Sequence, residues 1–319
     1  MKLIFLGTDT IGEICLGAIL ESRHEVALVI TQPDKPSGRG RKITPGAVRL
    51  SAEKSGLPLL QPDSIKNPAI RDKIAEIEPD ILTVVSYGEY IPSSIYNSPS
   101  YKAINVHPSL LPRWRGASPS RYALLAGDIV TGVTIQYVHR KLDAGDILLQ
   151  EKIPIDPDDD HGTLCEKLYP LGARLIVDAL DGLEKGAINP VRQDESMVTQ
   201  APKITKNDLI IDWSCPAIEI RNRIRAFSPE PGCRTLYRND NCKLLAASAE
   251  IHRLEVASDP GTIVGISKSG LDVACGDAVL TLTRLQPAGK NAMDGISFIN
   301  GYRPQVGERF VAIAESDDS

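Results

Sequence analysis

Apolar positions in the first half of the chain alternate between two periods. Residues 2–7 form an apolar run ending in a turn, 11–20 carry helical spacing, and 26–30 are a second apolar run rich in β-branched residues. Together they predict a β-α-β unit. Helix-like stretches follow at 47–54 and 70–77, with apolar strands at 81–85 and 103–106. Strands alternating with helices in this way predict an α/β fold, a Rossmann-like, doubly wound and mostly parallel sheet. Ligands of such sheets bind beyond the carboxyl ends of the strands, so the loops starting at Gly7, Thr31, Ser86 and His107 are expected on one rim.

Strand-like stretches at 132–138 and 147–155 flank a turn at 142–146, and 163–183 read as a long amphipathic helix. Thr163 is its expected N-cap, with Glu166 as the capping-box partner. Residues 186–207 are polar and irregular, with Pro190 and Pro202, and read as a linker. A helix at 217–226 and short apolar runs at 234–237, 243–247, 261–266, 271–274 and 279–285 then predict a small C-terminal β-barrel, OB-like in its strand spacing. The expected division is a catalytic domain at 1–188, a linker at 189–207 and a barrel at 208–319.

Composition narrows the field. A chain of 319 residues with 42% hydrophobic content can bury two cores. A net charge of -5 gives no general attraction to nucleic acid, so a polyanionic partner would have to meet local basic patches. Six scattered cysteines, without a C-x-x-C pair or a histidine at zinc-ligand spacing, suggest neither a disulfide framework nor a metal. The short apolar start lacks a signal-peptide core, and no run reaches the roughly 18 apolar residues of a membrane span, so a cytoplasmic protein is expected. No heptad run stands out, and a monomer is expected.

Three residues carry candidate chemistry. Strand alternation puts Asn105 and His107 on one face where the strand ends, aiming an amide donor and a base at one space. Pro108 stops the strand ladder, and Pro112 stiffens the loop that follows. Asp143, in the turn Asp143-Ala144-Gly145, is placed to orient His107 or to take a proton, with Asp146 as its rival. Each has an ordinary reading, as a packed strand-end histidine, a turn-forming asparagine and a turn aspartate.

Their surroundings are more specific. Asn105-Val106-His107-Pro108-Ser109-Leu110-Leu111-Pro112, continuing through Arg113-Trp114-Arg115-Gly116-Ala117, resembles the signature of the 10-formyltetrahydrofolate-dependent formyltransferases. The resemblance extends through Gly127-Asp128, Thr131-Gly132-Val133-Thr134-Ile135 and Leu142-Asp143-Ala144-Gly145-Asp146-Ile147. It implies that Asn105, His107 and Asp143 are catalytic and that 10-formyltetrahydrofolate is the donor, without a metal. In that chemistry an amine attacks a formyl carbon, an oxyanion develops and the amine loses a proton, so a donor and a base are needed.

Ser86-Tyr87-Gly88-Glu89-Tyr90-Ile91 resembles the family's pterin-binding loop, and with Ser109, Leu110, Leu111 and Pro112 it is the expected folate site. The first turn, Gly7-Thr8-Asp9-Thr10, lacks G-x-G-x-x-G and a P-loop lysine, and departs from the family's Thr-Pro-Asp-Phe. The basic stretch with Arg39, Arg41 and Lys42 resembles a loop that enters a tRNA acceptor stem. Lys203, Lys206, Arg221, Arg223, Arg225 and Lys290 are expected to add a basic track. Ile211-Asp212-Trp213, Ile224-Arg225-Ala226-Phe227 and the stretch from Leu285 to Lys290 resemble the C-terminal domain of the family's tRNA-formylating members. The acceptor so implied is initiator methionyl-tRNA, with an amino sugar nucleotide or another small amine as the alternative.

Overall fold

The computed structural model describes residues 1–37, 42–253 and 258–313. They form two compact units: Met1–Pro119 with Thr131–Ile153 and Glu166–Ala201, and Ser120–Val130 with Pro154–Cys165 and Pro202–Ser319.

The chain opens with β1 (Lys2–Gly7), α1 (Thr10–Leu20), β2 (Glu25–Ile30), β3 (Lys35–Ser37), β4 (Lys42–Thr44), α2 (Ala47–Lys54) and β5 (Leu59–Leu60). Then come α3 (Pro68–Ile77), β6 (Ile81–Val85), α4 (Ser93–Tyr96), β7 (Ala103–His107), α5 (Pro119–Leu125), β8 (Val130–Tyr137), β9 (Ile147–Pro154) and α6 (His161–Glu184). The main sheet of the first unit has the order β5-β2-β1-β6-β7-β8-β9, and β3 pairs with β4 in a separate two-stranded sheet.

Pairing is parallel from β5 through β7 and turns antiparallel between β7 and β8. Leu3, Ile4, Phe5 and Leu6 of β1 and all five residues of β6 are buried, as expected of strands covered on both faces. Strand order reverses about β1, which puts the switch point between the carboxyl ends of β1 and β6. There the Ser86 hydroxyl donates to Asp9 Oδ2 at 2.5 Å, and the Asp9 side chain also caps α1.

The second unit adds α7 (Ala217–Ala226), β10 (Cys233–Tyr237), β11 (Asp240–Arg253), β12 (Ile263–Ile266), β13 (Leu271–Ala274), β14 (Ala278–Pro287), β15 (Met293–Asp294), α8 (Gly295–Tyr302) and β16 (Phe310–Val311). Its sheet runs β12-β13-β14-β11-β10-β16, and β15 pairs with β14. The two ends of this path meet: Thr262 bridges Arg309, and the Ile263 and Phe310 N–H groups donate to Glu308 O and Gly261 O at 2.8 Å. The sheet therefore curls into a small barrel with few free edges. Trp213, Phe227, Tyr237, Phe298 and Phe310 fill its core together with Ile220 and Ile224 of α7.

The start of α6 corrects the expected cap. Asp160, not Thr163, is the N-cap: its Oδ1 accepts the Thr163 N–H at 3.0 Å, and Thr163 Oγ1 accepts the Asp160 N–H at 3.0 Å. The reciprocal pair is a capping box set three residues earlier, with Thr163 as its far member.

His161, in the first turn of α6, contacts Ser120 Oγ at 3.1 Å and Cys165 Sγ at 3.5 Å through Nε2. Burial, and secondarily the Arg121 charge, hold its pKa down to about 4. The unfolded chain thus binds a proton that the folded chain refuses, between pH 6.5 and about 4. This contribution is complete above pH 6.5 and lost as pH falls, removing up to about 3 kcal/mol. Denaturant titrations from pH 7 to 4.5 should show His161→Gln losing less stability over that window than the unaltered chain; parallel curves would contradict this.

No helix among the described residues is long and apolar enough to cross a membrane.

Candidate active site

β7 carries the centre of the site to the sheet rim. In its antiparallel pairing with β8, His107 lies opposite Thr134 and Asn105 opposite Gln136. Two residues apart on one strand, Asn105 and His107 share a face.

His107 is 4% exposed, and its Nε2 lies 2.8 Å from the Trp114 carbonyl oxygen. A carbonyl can only accept, so Nε2 carries a proton in either charge state, which fixes the tautomer of the neutral ring. Nδ1 is left facing Asp143, 3.7 Å from Oδ2. Trp114, which supplies the carbonyl, sits at φ 65. Left-handed backbone at a non-glycine residue is uncommon and clusters at functional sites.

Asp143 sits at φ 50 in its turn, with a side chain 10% exposed. Its Oδ2 accepts the Gly116 N–H at 2.9 Å, and its Oδ1 accepts the Gln136 side-chain amide at 3.1 Å. Two glycines let the segments close up. A Cβ on Gly145 would stand 1.8 Å from the Tyr137 carbonyl oxygen, and one on Gly116, at φ 125, would stand 2.5 Å from the Ala201 oxygen. Asp146, the rival carboxylate, is exposed. His107 is therefore paired with Asp143.

Asn105 differs from both. It is half-buried, and its amide makes no side-chain hydrogen bond among the described residues. It is the uncommitted donor of the three.

Sequence reasoning missed the polar layer behind Asp143. Gln136 is 1% exposed, Gln193 6% and Arg115 1%. Gln193 Nε2 donates to Gln136 Oε1 at 3.1 Å, Asp143 O at 2.9 Å and Gly145 O at 2.7 Å. Gln193 Oε1 accepts from Arg115 Nε and Nη2, at 3.0 and 2.8 Å. Arg115 continues to Glu195 at 2.8 Å, where Lys141 closes the chain at 2.6 Å. Hydrogen bonds from Arg115 and then Lys141 pull the Glu195 carboxyl down to about 2. Gln193 and Glu195 lie in the stretch that reads as a linker; residues up to Ala201 belong to the first unit.

The expected folate residues divide by burial. Ser86, Gly88 and Tyr90 are exposed, whereas Tyr87 and Ile91 belong to the core under the sheet. Glu89 braces the loop, accepting from Ser64 Oγ at 2.6 Å and the Ile65 N–H at 2.9 Å. Ser109 is fully buried, its hydroxyl donating to Arg113 O at 2.7 Å. Leu111 is buried beside it, while Leu110 and Pro112 are partly exposed. The Gln150 side chain donates to Leu111 O at 2.9 Å and so fixes this loop to β9.

Of the expected tRNA contacts, Arg39 and Arg41 lie outside the described residues, and Lys42 opens β4. Lys203, Lys206 and Lys290 are exposed, without an ion pair among the described residues. Arg221, Arg223 and Arg225 do not extend a free basic track. Arg221 donates to Ser248 O and Pro157 O, Arg223 to Asp208 O, and Arg225 to Asp159 O and Asp156 O. Their charges are committed to backbone carbonyls of their own unit, as buried polar groups require.

Two family models match the chain: Formyl transferase over residues 1–180 and Formyl transferase, C-terminal domain, over 203–303. The chain is 40% identical over 312 residues to the methionyl-tRNA formyltransferase of Pseudomonas putida (strain GB-1), covering 98% of each chain. It is 42% identical to that of Dictyoglomus thermophilum, over 97% of this chain and 100% of the relative. Among solved structures it resembles the N-formyltransferase of Helicobacter canadensis in complex with folinic acid and dTDP-3-aminofucose. There the TM-score is 0.67 and the identity 17%, over 88% of this chain and 99% of the other.

Proposed function

The chain belongs to the formyl transferase family, and from that premise we propose that it transfers the formyl group of 10-formyltetrahydrofolate to the α-amino group of initiator methionyl-tRNA. The observation that carries this reading is the pairing of His107 with Asp143, beside an Asn105 amide that has no side-chain hydrogen bond among the described residues.

The donor supplies an activated formyl carbon. Asn105 donates its amide N–H to the carbonyl oxygen as negative charge develops there. The His107 ring, held on Trp114 O through Nε2, turns Nδ1 toward Asp143. This pair takes the proton leaving the amine as the new carbon–nitrogen bond forms, and returns it to N10 of tetrahydrofolate as the bond from the formyl carbon to N10 breaks. The rim at Ser86, Gly88 and Tyr90, with Leu110 and Pro112, is where the pterin is expected. Backbone groups of such loops can match its flat hydrogen-bonding edge. Residues 208–319 are the proposed tRNA-binding domain, with Lys203, Lys206 and Lys290 contributing phosphate contacts beside Arg39, Arg41 and Lys42. The enzyme is proposed to act as a monomer.

Family membership leaves the acceptor as the point to test. Purified protein with 10-formyltetrahydrofolate should be offered methionyl initiator tRNA, free methionine, glycinamide ribonucleotide and an amino sugar nucleotide. Transfer is expected only to the aminoacyl-tRNA, with an apparent affinity that falls steeply as salt rises. Transfer confined to a small amine, indifferent to salt, overturns the tRNA reading in favour of the sugar-nucleotide alternative.

A further inference from the structure

We propose that Gln193 is a positioning residue for formyl transfer, holding the Asp143 turn so that the carboxylate faces His107. This deepens the reading of Asp143 given above and rests on it.

The argument lies in the polarity of the hydrogen bonds. An arginine side chain only donates, so the Gln193 atom that takes both Arg115 Nε and Nη2 is its carbonyl oxygen. The Gln193 amide nitrogen must then face the other way, and there it meets only acceptors: Asp143 O, Gly145 O and Gln136 Oε1. Backbone carbonyls cannot donate, so two further contacts agree on the same orientation. With its oxygen accepting from Gln193, Gln136 must present its own N–H groups to Asp143 Oδ1. The remaining oxygen, Oδ2, takes the Gly116 N–H. Donation therefore runs one way, from Arg115 through Gln193 and Gln136 to a carboxylate that only accepts.

Gln193 thus grips the turn at both its ends, residues 143 and 145, and also orients the glutamine that orients the carboxylate. The grip is needed because Asp143 sits at φ 50, a conformation its backbone does not favour unaided. The buried Arg115 charge that fixes the direction is balanced at the surface by Glu195, itself held by Lys141. Reversing either glutamine would set oxygen against oxygen along the chain.

Gln193→Met keeps the length and removes every hydrogen bond. Gln193→Glu keeps the acceptor for Arg115 and removes the donors to the turn. In the full chain both are expected to lower kcat by roughly 10- to 100-fold, less than the roughly 100- to 10,000-fold of a group that itself handles the proton, as fits a residue that acts through Asp143. The KM for donor and acceptor should stay within about 3-fold, since Gln193 is 6% exposed and its side chain is hydrogen-bonded to protein groups. The glutamate variant should do no better than the methionine one, although it retains Arg115.

In an Asp143→Asn background, Gln193→Met is expected to cause little further loss of kcat, because residues acting through one group are not additive. A crystal structure of Gln193→Met should show the Asp143 carboxylate turned away from His107. If Gln193→Met does not fold, Gln136→Met removes the bonds to Gln193 and to Asp143 Oδ1 but leaves the grip on the turn carbonyls, and should lower kcat by a smaller factor. Wild-type kcat in either folded variant, an undiminished loss in the Asp143→Asn background, or an unmoved carboxylate each overturns the proposal. Lack of transfer by the unaltered chain would instead sink the functional reading, leaving the carboxylate geometry to decide this one.

Discussion

His107→Ala is expected to slow formyl transfer by about 100- to 10,000-fold, the range for losing a group that handles a proton in the transition state. The ring does two things at once. Its Nε2–H is used on Trp114 O, which fixes the plane of the imidazole, and its Nδ1 looks toward Asp143 at 3.7 Å. Alanine removes both, including the hydrogen bond to the Trp114 carbonyl, a loss of about 0.5–1.5 kcal/mol in stability. A fall in rate alone would therefore be ambiguous, and His107→Gln separates the effects. Its amide can donate to Trp114 O and restore stability, but it offers nothing that can accept and return a proton. Single-turnover rates at saturating donor and acceptor, read beside melting temperatures, should give a glutamine variant as stable as the unaltered chain and nearly as slow as the alanine one. A glutamine variant with full rate would remove His107 from the proton chemistry.

The elements legible in the sequence are those whose burial pattern is local. Central strands β1 and β6 are covered on both faces and read as near-continuous apolar runs, and α7 begins and ends at the residues its spacing indicates. The two-residue strands β5 and β16 carry no pattern of their own and exist only through their partners. The α6 cap was displaced because Thr163 and Glu166 satisfy the capping-box spacing, while Asp160 is one of several acidic residues just upstream. Only the hydrogen bonds choose between them.

At the site the same division holds. Asn105 and His107 are legible because strand alternation alone puts them together, and Asp143 is legible through the motif around it. Gln136 left a usable signal, since Thr134 and Gln136 alternate on β8 and both point to a covered face. Gln193 left none. It sits in a polar stretch without periodicity, and its burial comes from meeting Arg115 and the Asp143 turn, contacts between segments 50 to 80 residues apart. A buried polar residue outside regular structure resembles a surface one until its partners are known.

Asn105→Ala is expected to lower kcat by roughly 100- to 1000-fold, the usual effect of losing one donor to a developing oxyanion. KM for either substrate should change little, because the donor is needed most when the oxygen carries charge. Stability should change less than in the histidine variant: the Asn105 side chain has no hydrogen bond among the described residues, so its removal orphans none there. That combination, a large loss of rate with a small loss of stability, distinguishes an uncommitted donor from a bracing residue. Asn105→Asp sharpens the test, since it preserves shape but turns a donor into a charge facing the oxygen that becomes negative. It should be slower than alanine, and slower still where the carboxylate is fully ionised. An alanine variant with unchanged kcat, or an aspartate variant faster than alanine, would take the oxyanion role away from Asn105.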